Sequence, residues 1–157
     1  MTSASTTQPA SATRHRCGLY SLLGRRWPTA VGLGAAAASV IALLPLPHTA
    51  RAWAGAWTLL LAAVIYLTWG AVRGDLRPAR WLAAQAGAVL VFGAVALSTL
   101  TVDQHQARFV LAAGWIAHAA WDAVHHRANR VVPRWYAEAC AVVDLSVAAV
   151  LLTANFI

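Results

Sequence analysis

The sequence predicts an all-α, polytopic membrane protein built as a bundle of five transmembrane helices. Three observations predict it. Of 157 residues, 60% are hydrophobic and only 11% are charged, whereas a soluble domain carries roughly a quarter charged residues. The apolar residues form long runs, five of them close to the ~20 residues needed to span a bilayer. The arginines fall between those runs with a regular asymmetry.

Residues 1–27 are rich in Ser, Thr, Ala and Arg and lack apolar periodicity. They read as a disordered cytoplasmic tail, and 28–157 as one transmembrane domain. The expected spans are 29–47, 54–73, 81–102, 108–127 and 134–157. Pro45 and Pro47 end the first. An alternative reading of that span is a twin-arginine signal peptide, with Arg25 and Arg26 ahead of the apolar stretch and small residues at 50–54 as a cleavage site. A plain first helix is favoured, because four further spans follow and the topology of the rest is the same either way.

Small residues are dense in the first and third spans (Gly32, Gly34 and Ala35; Ala84, Gly87 and Gly93), as close helix packing requires. Trp27, Trp53, Trp57, Trp69, Trp81 and Trp135 lie at or near span ends, where indoles anchor at the interface. No internal repeat is visible.

Arg14, Arg16, Arg25 and Arg26 precede the first span. Arg73, Arg77 and Arg80 separate the second from the third, and Arg127, Arg130 and Arg134 the fourth from the fifth. The other two connections hold only Arg51 and Arg108. The positive-inside rule then places the N-terminus in the cytoplasm and the C-terminus outside, in a bacterial cytoplasmic membrane. All 12 basic residues are arginine. They form no run suited to nucleic acid, so membrane lipid is the expected partner, with a second copy or a partner membrane subunit. Cys17 and Cys140 make neither a disulfide framework nor a Cys-x-x-Cys motif.

The fourth span carries His118, Asp122, His125 and His126, spaced His-x-x-x-Asp-x-x-His-His. At about 100° per residue all four project from one face roughly 100° wide, with Trp115 among them and Trp121 beside Asp122. A carboxylate is costly in hydrocarbon, so this face should point into the bundle. Counting from the arginines, Asp122 lies ~7 Å deep and His118 ~13 Å. On the fifth span Cys140 lies ~9 Å deep and Asp144 ~15 Å. Tyr136, Cys140 and Asp144 share a face. The short connection makes the two helices antiparallel neighbours whose polar faces meet. The depths split the stripe into a deep pair, His118 and Asp122, and an interfacial pair, His125 and His126. Glu138 points elsewhere, toward headgroups or an arginine. Tyr66 and Gln85 reach similar depth and read as interhelical hydrogen-bonding residues.

Three chemistries compete. His and Asp are ligands for zinc, iron or manganese, and the candidate sets are His118, Asp122 and Asp144, or Asp122, His125 and His126. The same groups exchange protons in metal-free acid–base chemistry, with Asp122, His118 and Asp144 as the catalytic candidates and Trp115, Trp121, Tyr136 and Cys140 in support. By analogy alone, a protonated carboxyl among indoles suits a membrane-bound isoprenoid cyclase-like enzyme. In the bland alternative, His118–Asp144 and Asp122 with a tryptophan N–H or a histidine only join helices.

Trp115-x-x-His118-x-x-Trp121-Asp122, followed by Trp135-Tyr136-x-x-x-Cys140-x-x-x-Asp144, resembles a bacterial family of small integral membrane proteins of unknown function. The resemblance covers the last two spans, about a third of the chain. It implies a compact helical membrane protein, names no activity, and marks His118, Asp122, Cys140 and Asp144. The expected function is a membrane-embedded site for a divalent metal ion or proton chemistry on a small or lipophilic substrate. Its rival is a non-enzymatic scaffold or accessory subunit. A transporter fits poorly, with five spans and no repeat or broken helix.

Overall fold

The computed structural model describes residues 24, 26–154 and 157, and these contain helices and no strand. Five helices follow in order: α1 Trp27–Leu43, α2 His48–Val72, α3 Ala79–Thr101, α4 Gln104–Ala128 and α5 Arg134–Thr153. Most of the expected tail, including Arg14, Arg16, Cys17 and Arg25, lies outside the described residues. Trp27, assigned to that tail, already belongs to α1.

The helix ends differ from expectation for local reasons. α1 stops at Leu43 and α2 starts at His48, six residues earlier than expected. Pro47 caps α2 in an extended conformation, since a proline needs no N–H bond at a helix start. Arg51, in the first turn, donates from Nε to the Leu46 carbonyl (2.8 Å) and from a terminal nitrogen to the Leu44 carbonyl (2.5 Å). It thereby satisfies carbonyls exposed at the end of α1. Residues 50–54, weighed as a cleavage site, lie in the first two turns of this continuous helix.

α4 likewise begins four residues early, because Asp103 caps it by accepting the Gln106 N–H at 2.9 Å. It ends on Asn129 in the left-handed conformation, φ 49° and ψ 44°, a turn asparagine tolerates. α5 ends at Thr153 rather than running to 157.

α2, α3 and α4 pack on one another, α5 lies along α4, and α1 packs on α5. α1 and α5 run parallel: Thr29 meets Glu138 near their N-termini, and Val40 and Leu43 join the cluster holding Ala148 and Leu151 near their other ends. Their approach depends on Gly32. A Cβ there would lie 2.5 Å from the Ala139 carbonyl oxygen and 2.8 Å from Val142 Cβ, whereas one on Gly34 would meet nothing within 4 Å. Backbone cannot swing aside as a flexible side chain does. Gly32→Val is therefore expected to destabilise the protein by about 1–3 kcal/mol, and Gly34→Val to leave thermal melts in detergent nearly unchanged.

Among the described residues three helices are long and apolar enough to cross a membrane: α2, α3 and α5, with mean hydropathies of 1.7, 1.8 and 1.7. α1 is apolar but only 17 residues long. Large apolar side chains cover the outside, among them Ile41, Leu90, Leu97 and Leu152. A water-soluble monomer rarely exposes so much contiguous apolar surface. The bundle is membrane-like: apolar outside, with its polar side chains gathered within.

Candidate functional site

Six polar or charged side chains are buried among the described residues: Gln85, Thr99, His118, Asp122, His125 and Asp144. Three of them come together where α4 crosses α5. His118 Nδ1 lies 2.8 Å from Asp144 Oδ2 and 3.5 Å from Asp122 Oδ1. His118, Asp122 and Asp144 each offer a ligand atom, and these atoms all fall within 4.8 Å of one another.

Helix geometry explains the convergence. His118 and Asp122 are one turn apart on the buried stripe of α4, which also carries Leu111 and Trp115. Asp144 lies midway along the buried face of α5 with Ala137 and Ala148. Alanines on that face let α5 come close enough for a short carboxylate to reach the histidine.

α2 adds a third arm. Tyr66, fully buried, donates its hydroxyl to Asp122 Oδ1 at 2.6 Å. Its ring meets the His118 and His125 imidazoles edge-on, at 5.6 and 5.0 Å between centroids. From the sequence, Tyr66 reads as an ordinary interhelical hydrogen-bonding residue. The available signal was its place as the one tyrosine deep in an otherwise apolar span.

His125 and His126 separate. His125 was expected at the interface, yet it is fully buried. Its Nδ1 lies 2.9 Å from the Trp121 carbonyl and its Nε2 lies 2.8 Å from Gln85 Nε2. A carbonyl only accepts, so Nδ1 carries the proton, and Nε2 then accepts from the Gln85 amide. Both ring nitrogens are thus engaged away from the carboxylates. His126 is half-buried and lines a different groove with Glu138 and Arg127. The set Asp122, His125 and His126 does not assemble, because an offset of one residue turns the side chain by ~100°.

Glu138, expected near headgroups or an arginine, lines that groove with Arg26 and Arg127 and accepts the Thr29 hydroxyl at 2.7 Å. No tryptophan reaches Asp122: the indole nitrogens of Trp115 and Trp121 are buried without a hydrogen-bond partner among the described residues. Trp121 packs its ring on His125 at 4.7 Å.

Two polar atoms of the trio are also buried without a hydrogen-bond partner among the described residues, His118 Nε2 and Asp122 Oδ2. No arginine reaches the trio through a described hydrogen bond or ion pair; its ion pairs are the two from His118. Two carboxyl groups against one imidazole need positive charge, supplied by protons or by a cation. Ligand atoms ~2.1 Å from a shared metal ion lie roughly 3–3.5 Å apart. The 3.5 Å nitrogen–oxygen distance matches that spacing, the 2.8 Å one lies just below it, and the residue types match a nitrogen/oxygen site for a divalent ion. Such an ion would replace the proton held between Nδ1 and the carboxylates.

A cavity of about 170 Å³ lies between α2 and α5 and reaches Asp144. Tyr66, Tyr136, Cys140 and Trp115 line it together with Leu61, Ile65 and Val143. The face shared by Tyr136, Cys140 and Asp144 is therefore turned into one space. Comparison with protein-family models, with curated proteins and with solved structures found no match to this chain.

Proposed function

We propose that this chain is a five-span membrane protein whose last two helices hold a divalent metal ion at His118, Asp122 and Asp144. The observation that carries the reading is the buried nitrogen–oxygen–oxygen group itself, with its ligand atoms within 4.8 Å. Zinc, iron and manganese suit one imidazole and two carboxylates. Three protein ligands leave room for a water or substrate atom, as in catalytic rather than structural sites. Tyr66 orients the Asp122 carboxylate from behind, as outer partners of metal ligands do. The cavity between α2 and α5, with its leucine and isoleucine lining, suits a small or lipophilic substrate entering from the bilayer.

The five-span topology has its own support. α4 is 25 residues long, ~37 Å, and falls short in hydropathy because its polar stripe faces inward. α1, at 17 residues, reaches ~25 Å, a mismatch that a bilayer accommodates at modest cost. Arg26, Arg73, Arg77, Arg80, Arg127, Arg130 and Arg134 sit at one end of the bundle, and Arg51 and Arg108 at the other. The positive-inside rule assigns the first end to the cytoplasm.

One observation favours a second reading, a scaffold without chemistry. Three buried side chain–side chain hydrogen bonds each join two helices: Tyr66–Asp122 links α2 to α4, Gln85–His125 links α3 to α4, and His118–Asp144 links α4 to α5. Elemental analysis of protein purified gently in detergent separates the two. The metal reading expects about one equivalent of a divalent transition metal per chain. Metal-free protein that also takes up none on dialysis against zinc, iron(II) or manganese would sink it. Tyr66→Phe is expected to weaken metal affinity by about 10–100-fold, measured by competition with a chelating dye.

A further inference from the structure

The half-buried pair His126 and Glu138 takes no part in the metal reading. Both line a second cavity, of about 530 Å³, at the arginine-rich end of the bundle. α5 forms its floor, with the start of α1 on one side and the end of α4 on the other. Its mouth carries Arg26 and Arg127, both exposed, with His126 between the helices. Glu138 stands inside the mouth and already accepts the Thr29 hydroxyl. Deeper along α5 the lining is purely apolar, through Ala141 and Val142 to Leu145. Leu145 is 53% exposed and lies seven residues, ~10.5 Å, below Glu138.

Charge therefore sits at the membrane surface end and hydrocarbon lining lies toward the membrane interior, over about the height of a lipid headgroup and the first part of its chain. We propose that this groove is a binding site for an anionic glycerophospholipid with a hydroxylated headgroup. Two guanidiniums and one carboxylate leave a formal charge of +1. A phosphodiester headgroup such as phosphatidylglycerol carries −1. Arginine pairs with phosphate oxygens through its planar fork. The headgroup hydroxyls donate to Glu138 as Thr29 does, and an acyl chain lies over Val142 and Leu145. Charge complementarity selects this lipid over phosphatidylcholine and phosphatidylethanolamine, whose headgroups carry no net charge. The groove rests on the membrane-spanning arrangement proposed above but shares no residue with the metal trio, so loss of the metal reading leaves it untouched.

The test uses the full chain in detergent with added lipid, read by native mass spectrometry and by thermal melts. Phosphatidylglycerol is expected to be retained and to raise the melting temperature, with affinity about tenfold or more above that for phosphatidylcholine or phosphatidylethanolamine. Arg26→Gln with Arg127→Gln is expected to remove that preference. Arg80→Gln, an exposed arginine at the same end but outside the groove, is expected to keep it. Leu145→Trp, which fills the apolar half, is expected to weaken phosphatidylglycerol binding while the unliganded melt stays put. Equal affinity for charged and neutral lipids would overturn the proposal. So would an Arg80→Gln loss as large as that of the double variant, which would mean diffuse surface charge. A thermal shift from inorganic phosphate equal to that from the lipid would also overturn it, because the ligand would then be free phosphate.

Discussion

Asp122→Asn is expected to abolish stoichiometric metal binding while leaving the bundle folded. Asparagine keeps the size of the side chain and one carbonyl oxygen, so it still accepts the Tyr66 hydroxyl that Asp122 Oδ1 accepts at 2.6 Å. It removes the negative charge and one anionic ligand of three. Partners behind a metal ligand commonly contribute 10–100-fold to affinity, so losing a ligand itself is expected to cost more than about 100-fold. The check is metal per chain by elemental analysis together with a chelator titration on wild type and variant. A variant that keeps one equivalent at unchanged affinity would show that the ion, if bound, sits elsewhere. If metal is lost along with the cooperative melt, Asp144→Asn supplies the independent trial. Its carboxylate meets His118 at 2.8 Å from the other helix, and it too should lose metal.

His118→Ala is expected to give the largest loss of stability, about 3–5 kcal/mol. The imidazole is fully buried and shares a hydrogen bond with Asp144 Oδ2. Truncating it strands one carboxyl and leaves two acidic groups side by side without the ring between them. It also opens space against Phe92, whose ring centroid lies 4.9 Å from the imidazole. The informative partner is the double variant His118→Leu with Asp144→Leu. Removing both polar groups and refilling the volume should restore much of the stability, because an apolar pair needs no counter-charge. Thermal or denaturant unfolding in detergent measures both. Recovery of stability without recovery of metal would mean the trio is kept for chemistry. A single variant as stable as wild type would show that His118 does little for the fold.

The two predictions together separate the scaffold from the metal site. Helix glue alone predicts a stability change for each of Tyr66, His118 and Asp144 and no metal signal. A metal centre predicts that Asp122→Asn, with its shape and hydroxyl contact kept, melts like wild type when both are metal-free, is decisive in the metal assay, and loses the stabilisation that added metal gives wild type.

The helical class, the order of the helices and the stripe that buries His118 and Asp122 were all legible in the sequence. Hydropathy over ~20 residues and a period of 3.6 are local properties, and a local reading recovers them. The antiparallel pairing of the last two helices was legible for the same reason: the connection between them is short. Equal depth on paired helices then brought Asp144 to His118. Helix ends were less legible. Pro47 and Asp103 act as caps, and Arg51 bonds back across the turn, so α2 and α4 begin earlier than hydropathy alone indicates.

Only the tertiary structure decided which polar groups share a space. His125 and His126 differ by one residue, and angle alone put both on the site's face. Packing turned His125 to Gln85 on α3 and His126 into the groove between α1, α4 and α5. Tyr66 is 56 residues from Asp122 in the chain, and no spacing rule links them. Thr29 and Glu138 meet across 109 residues because Gly32 lets α1 lie against α5. Periodicity within one helix determines what is turned inward. Which side chains meet there depends on how closely the helices approach and at what rotation. Both are set by small residues and side-chain shape at every crossing, so they become visible only once the helices are packed together.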